Sequence, residues 1–231
     1  VLTPQTGYEL VSRIKEKTDL PLEVHTHATS GISEMTYLKV AEAGADIIDT
    51  CLSSFSGGTS QPATESMVLS LEELGFNTGV DMKKVEEATA HFNGIRDKFR
   101  AEGILNPKVK DTEPKTLIYQ VPGGMLSNLL SQLTEQGLAD KYEEVLAEVP
   151  KVRADLGYPP LVTPLSQMVG TQAVMNVISG ERFKLVPKEI KDYVLGLYGQ
   201  APAEINPEVK EKIIGDAEVV TVRPADLIEV R

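Results

Sequence analysis

The sequence predicts an α/β front of parallel βα units, of the kind that line a (β/α)₈ barrel, followed by an all-α second half. Three observations carry this. LEVHTHATSG (22–31) alternates apolar and polar residues and then turns through small residues into a helical pattern. GADIIDTCLSSFSGG (44–58) repeats the design around Ile47 and Ile48, which read as the β-branched centre of a buried parallel strand. Beyond residue 80 the spacing is helical almost throughout. Two strands joined by a helix imply a right-handed crossover. A closed barrel takes eight strands and typically about 250 residues, so this chain of 231 residues does not make one alone. The predicted domains are 1–80 and 81–231.

Taken in order, residues 7–17 set Leu10, Val11 and Ile14 on one helical face, with basic residues in the last turn. Asp19 to Pro21 breaks that helix and launches the first strand. The next helix covers 33–43, with Met35, Leu38 and Ala41 as its predicted buried stripe and Gly44 as its stop. A third helix begins near Pro62, a residue suited to the first helical position, turns Met67, Val68 and Leu71 inward and ends at Gly75. Asp81 N-caps a long helix to Arg100, with Val85, Ala88, Phe92, Ile95 and Phe99 at helical spacing. Residues 103–114 are polar and proline-punctuated, as a linker would be. Propensity alone makes 116–121 a short strand. Helices follow at 125–136, 139–156, 166–179, 188–198 and 208–214, with Gly137, Gly157, Gly180 and Gly199 at the stops.

Composition narrows the function. A net charge of -11 argues against a nucleic-acid footprint. The single cysteine, Cys51, rules out an internal disulfide and fits a reducing cytoplasm. No apolar run reaches the roughly 18 residues of a membrane span. The opening VLTPQTG starts at Val1 and reads like the middle of a domain, which predicts a fragment or a processed chain.

The residues that point to chemistry lie at the ends of the two strands. Glu23, His25 and His27 share one face of the first strand. Imidazoles at i and i+2 stand close enough to grip one divalent cation, and hydrogen-bonding histidines are the competing reading. SGGTSQPATE (56–65) leaves a strand end and enters a helix. Its glycines let backbone approach a ligand, and Thr59 is a hydroxyl at the rim. A tight βα turn with Ser and Thr as caps explains the same residues. PGGM (122–125) and GTQ (170–172) read as helix starts or close packing, Cys51 as a small buried hydrophobe, and His91 as helix surface. Glu143, Glu144 and Glu148 read as a solvated face.

HTHATSG, GADIIDT, GTSQPATES, YQVPGGMLSNLLSQL, EVLAEVPKVRADLGYPPLVTPLSQMVGTQAV and RPADL, in this order, resemble the carboxyltransferase domain of biotin-dependent enzymes. The nearest members are the B subunit of two-subunit pyruvate carboxylase and the alpha subunit of oxaloacetate decarboxylase. The resemblance spans essentially the whole chain. It implies the C-terminal part of a TIM barrel, its seventh and eighth strands, followed by a helical carboxyltransferase extension. It also implies a divalent metal, commonly zinc with manganese or cobalt as alternatives, held by an aspartate, a carbamylated lysine and two histidines. His25 and His27 match those histidines; the other two ligands have no counterpart here. Thr59 matches the threonine that shuttles a proton between pyruvate and biotin, and Gly58, Ser60 and Gln61 become candidates for the substrate and biotin pocket. The related transcarboxylase differs at this turn, which favours the pyruvate carboxylase and decarboxylase types.

The implied reaction interconverts pyruvate and oxaloacetate, with biotin on a separate carrier domain. The implied partners are a biotin carboxylase subunit or sodium-pump subunits, in a homo-oligomer when full length. The implied location is cytoplasmic, or peripheral at the inner membrane for the pump type. With two of four metal ligands, the chain alone is expected to be inactive. Two rivals remain: a metal-dependent aldol-type lyase or acyl-CoA condensing synthase with the same HxH strand, and a non-catalytic module that docks a carrier domain.

Overall fold

The computed structural model describes residues 2–105, 110–121, 123–222 and 226. The chain divides into two compact units, Val1–Ser127 and Asn128–Arg231.

The first unit opens with helix α1, Pro4–Lys15. It starts earlier than the apolar spacing predicts because Thr3 and Thr6 form a reciprocal capping box, with Pro4 in the first turn. Strand β1, Glu23–Val24, pairs in parallel with β2, Ile47–Ile48. Asp46 aligns them: its carboxylate accepts from the Leu22 N–H at 2.7 Å and from Lys15 at 2.9 Å. Both strands are shorter than their sequence pattern, and Ile47 is 48% exposed rather than buried. Among the described residues β2 has a single strand neighbour.

Helix α2, Ser33–Glu42, buries Thr36, Tyr37 and Val40 and leaves Met35 exposed. Of the predicted stripe, Leu38 and Ala41 pack half-buried against the core, and only Met35 faces outward. Tyr37 is the better anchor, because its hydroxyl finds a partner inside. Helix α3, Thr64–Glu73, turns Met67, Val68 and Leu71 into the same core as Val11, Val24, Tyr37 and Val40. It starts two residues beyond Pro62, because Ala63 is held in a parallel bridge to Cys51. That bridge leaves Cys51 half-buried.

Asp81 caps α4, Met82–Ala101, accepting from the Lys83 and Lys84 amides. None of its described side chains is fully buried. Its apolar stripe meets the loop after β2, where Phe55 stacks against Phe92 and Phe99. Residues Thr116–Tyr119 form a one-turn helix, α5, rather than a strand. The Glu113 carbonyl captures both the amide and the hydroxyl of Thr116, a local bond that outweighs β propensity. Helix α6, Gly123–Glu135, leads into the second unit.

There the chain is helical: α7 Tyr142–Asp155, α8 Leu165–Ser179, α9 Lys188–Val194 and α10 Pro207–Ile214. A 3₁₀ turn, Ala139–Lys141, precedes α7. Val145, Val149, Val152, Leu156, Ala173 and Ile190 are completely buried. Helix α9 stops short of the predicted Tyr198 because the Leu195 carbonyl is taken by the Val220 amide at 2.8 Å.

Glu148 corrects the solvated-face reading. It is 6% exposed and accepts from Arg182 at 2.5 Å and Asn176 at 2.9 Å. Burial opposes its ionisation, but those bonds and Lys151 prevail and hold its carboxyl below the usual range. Gln172, from the GTQ run, is also buried and binds Asn176 and the Leu185 carbonyl. Most of RPADL and Pro122 of PGGM lie outside the described residues.

Candidate metal centre and relay turn

β1 runs on into His25, Thr26 and His27. The strand frays there because the Thr26 N–H is taken by the Tyr37 hydroxyl at 3.0 Å. Burial pushes that phenol up to about 12, so it stays a neutral hydrogen-bonding group over the physiological range. The chain then enters a 3₁₀ turn, Ala28–Ser30.

Both imidazoles come together. The Nε2 atoms of His25 and His27 face each other at 3.3 Å. Each ring is fixed from behind at Nδ1: His25 by Asp49 Oδ2 at 2.7 Å, and His27 by the Thr59 carbonyl at 2.5 Å. A carbonyl only accepts, so His27 Nδ1 carries the proton and Nε2 presents a lone pair. The carboxylate imposes the same tautomer on a neutral His25. Two lone pairs facing each other repel unless a proton or a cation lies between them. Two nitrogen ligands of one tetrahedral metal, each about 2.0–2.1 Å from it, stand about 3.3 Å apart. Ligand histidines commonly donate the other ring N–H to a carboxylate or carbonyl, as both do here. The pair therefore fits a divalent metal. Among the described residues no third His, Cys, Asp or Glu joins it.

In the sequence, Asp49 directly follows Ile47 and Ile48 and carries no further signal of its own. The signal for more is the parallel register: Val24 pairs with Ile48, which sets His25 level with Asp49.

Beyond β2 and the loop that follows it lies the candidate relay turn, residues 57–61. Gly57 and Gly58 both take left-handed φ values, +86° and +54°, which side chains with a Cβ adopt only with strain. Gly58 is buried, and its carbonyl accepts from the Thr29 hydroxyl at 2.8 Å. Ser60 and Gln61 are half-buried; their side chains touch at 3.4 Å, and the Gln61 carbonyl closes the turn on the Gly57 amide. Thr59 is half-buried, and its hydroxyl makes no hydrogen bond among the described residues.

The loop before this turn is anchored by Glu65, which accepts from the Ser53 amide and hydroxyl and from Thr89. Burial works against the charge on Glu65, yet the hydroxyls of Thr89 and Ser53 keep its carboxyl below the usual range. His91 is exposed and stacks edge-on against Phe92, away from this chemistry in role.

Residues 116–231 match the family described as Conserved carboxylase domain, and residues 1–91 match the HMGL-like family. The chain is 53% identical over 229 residues to the B subunit of pyruvate carboxylase from Methanocaldococcus jannaschii, covering 99% of this chain and 40% of the relative. It is 44% identical to the 2-oxoglutarate carboxylase large subunit of Hydrogenobacter thermophilus, covering 99% and 35%. The solved carboxyl transferase domain of Rhizobium etli pyruvate carboxylase with pyruvate superposes with a TM-score of 0.86 at 28% identity, over 99% of this chain and 39% of that one. The chain thus spans well under half the length of these relatives, with the matched family covering its helical portion. On that match, the chain belongs to the conserved carboxylase domain family.

Proposed function

We propose that the protein is a biotin-dependent carboxyltransferase interconverting pyruvate and oxaloacetate, of the same type as the pyruvate carboxylase B subunit or the oxaloacetate decarboxylase alpha subunit. The observation that carries this reading is the His25–His27 pair, with its lone pairs converging and the backbone of Thr59 bonded to its rim. Residues 1–80 are assigned to the last two βα units of a TIM barrel and 81–231 to its helical extension. His25 and His27 hold a divalent metal, zinc in the first instance, together with ligands supplied elsewhere in the full-length protein.

The metal supplies Lewis acidity toward the oxygen of the keto acid, and biotin on its carrier supplies the acceptor for the carboxyl group. The chain's own residues do the rest. Asp49 and the Thr59 carbonyl fix the ring tautomers. The free Thr59 hydroxyl gives its proton to the methylene carbon left when oxaloacetate loses its carboxyl group, and takes one from the carboxyl acceptor. A hydroxyl suits this because it gives and takes in one motion without a full alkoxide; such help is typically worth roughly 10²–10⁴ in rate. Gly58, Ser60 and Gln61 shape the pocket beside it. The partners proposed are a biotinylated carrier domain and either a biotin carboxylase subunit or sodium-pump subunits. A cytoplasmic homo-oligomer is the proposed setting, peripheral at the inner membrane for the pump type.

The test is carboxyl transfer from oxaloacetate by the full-length protein with a biotinylated carrier, with 2-oxoglutarate as the second keto acid. Biotin-dependent formation of pyruvate is the expected result. Carbon–carbon cleavage that ignores biotin would favour the lyase class instead. No transfer between oxaloacetate and biotin, with transfer from carboxybiotin to 2-oxoglutarate observed, would move the substrate to the longer keto acid.

A further inference from the structure

Three consecutive residues of the turn after β1 hold three consecutive carbonyls of the relay turn. His27 Nδ1 bonds the Thr59 carbonyl at 2.5 Å, the Ala28 amide bonds that of Ser60 at 2.7 Å, and the Thr29 hydroxyl bonds that of Gly58 at 2.8 Å. The relay turn needs such clamps. Its first two residues are glycines, whose backbone is free to leave the left-handed conformation at little cost.

Thr29 is itself fixed. It is 4% exposed, and its own carbonyl accepts from the Glu113 amide at 2.7 Å. Of the three clamps, one belongs to a proposed metal ligand and one to backbone. Thr29 is the one that a side-chain change removes without touching the metal.

We propose that Thr29 is a positioning residue for proton transfer: its hydroxyl, by holding the Gly58 carbonyl, sets the direction in which the Thr59 hydroxyl points. This rests on the reading of Thr59 as the relay. A misplacement of about 1 Å at a reacting group costs on the order of 10² in rate.

The test uses the full-length protein with its biotinylated carrier. Thr29→Val keeps the shape and removes the donor. It is expected to lower kcat roughly 10- to 100-fold, leave KM for oxaloacetate and the bound metal unchanged, and raise the solvent deuterium isotope effect on kcat, because proton transfer becomes slower than the other steps. Thr29→Ser restores both. A valine variant with wild-type kcat overturns the proposal, as does a fall in kcat with an unchanged isotope effect or with loss of metal. Should Thr29→Val not accumulate folded, Thr29→Cys, a weak donor of similar size, is read the same way. Thr59→Ala separates the two levels. If it retains activity, the relay reading goes and takes the proposal with it; if it is inactive while Thr29→Val is silent, only the role of Thr29 is lost.

Discussion

Each unit holds one conspicuous polar cluster, and the two clusters are built differently. In Asn128–Arg231 the buried polar groups bind each other: Glu148 is held by Arg182, Asn176 and Lys151, and Asn176 is bound in turn by Gln172 and the Phe183 amide. In Val1–Ser127 two imidazoles are fixed from behind and turn their Nε2 atoms toward each other at 3.3 Å, the His25 ring half exposed. Apart from the Gln172 Oε1, which is buried without a partner, the Glu148 network is closed on itself, and such a network specifies packing. A convergent pair, held in place by second neighbours, is what a ligand site requires.

The largest effect expected on this contrast is at His25. In the full-length protein, His25→Ala removes one of the two converging nitrogens, and metal content by elemental analysis should fall close to zero while helicity is unchanged. Full metal occupancy in that variant would erase the distinction between the units.

Next comes the network around Glu148. Glu148→Ala leaves the Asn176 amide buried without its acceptor and Arg182 without its nearest carboxylate. Breaking such pairs costs about 3–5 kcal/mol when both partners are buried; Arg182 is half exposed, so about 2–4 kcal/mol is expected. Amide exchange of α7 and α8 in the full-length protein reads this, with metal content unmoved.

Acid makes the same point. The carboxyl of folded Glu148 lies below its ordinary 4.5, so its contribution is complete above that pH and is lost as the pH falls through 4.5 toward the folded value. Glu148→Gln should flatten that part of the acid dependence of exchange. An unchanged acid profile would show that Glu148 does not carry it.

How much of this was legible in the sequence follows from where each interaction lies. Local chemistry was readable: the cap at Asp81, the inward face of α3, and the HxH pair all depend on residues a few positions apart. Long-range partners were not. Glu148 looked solvated because Arg182 is 34 residues away. Met35 looked buried because its neighbour Tyr37 is anchored by a backbone amide on another element. The strand assigned to 116–121 lost to a local hydroxyl bond at Thr116, which β propensity does not weigh. In the site, the two rings and the threonine were legible as residue types. Asp49, Tyr37 and Thr29, which hold them, were not, because their roles exist only once β1 and β2 lie side by side.

Asp49 offers a smaller effect than outright ligand loss. Asp49→Asn keeps the shape and can still engage His25 Nδ1, but loses the charge that makes the ring a stronger donor to a metal. Loss of such outer partners typically weakens metal binding about 10- to 100-fold. Competition with a chelator in the full-length protein measures it. An affinity equal to wild type would mean that Asp49 serves only the packing of this unit, as the Glu148 network serves that of the other.

The smallest effect gives the sharpest comparison, because it holds the backbone cost equal in both units. Gly57 and Gly180 have φ of +86° and +69°, and a Cβ at either position would meet nothing within 4 Å. An alanine there suffers conformational strain and no clash, about 1–2 kcal/mol in each case. Gly180 ends α8, where the strain costs stability alone. Gly57 begins the turn that carries Thr59, so Gly57→Ala relieves its strain by rotating that turn against the clamps from Ala28 and Thr29. Equal losses of stability are expected from the two variants, with carboxyl transfer slowed roughly three- to tenfold only by Gly57→Ala. Equal kinetics in the two variants would mean that the relay turn tolerates rotation, and that the hydroxyl it carries needs no fixed direction.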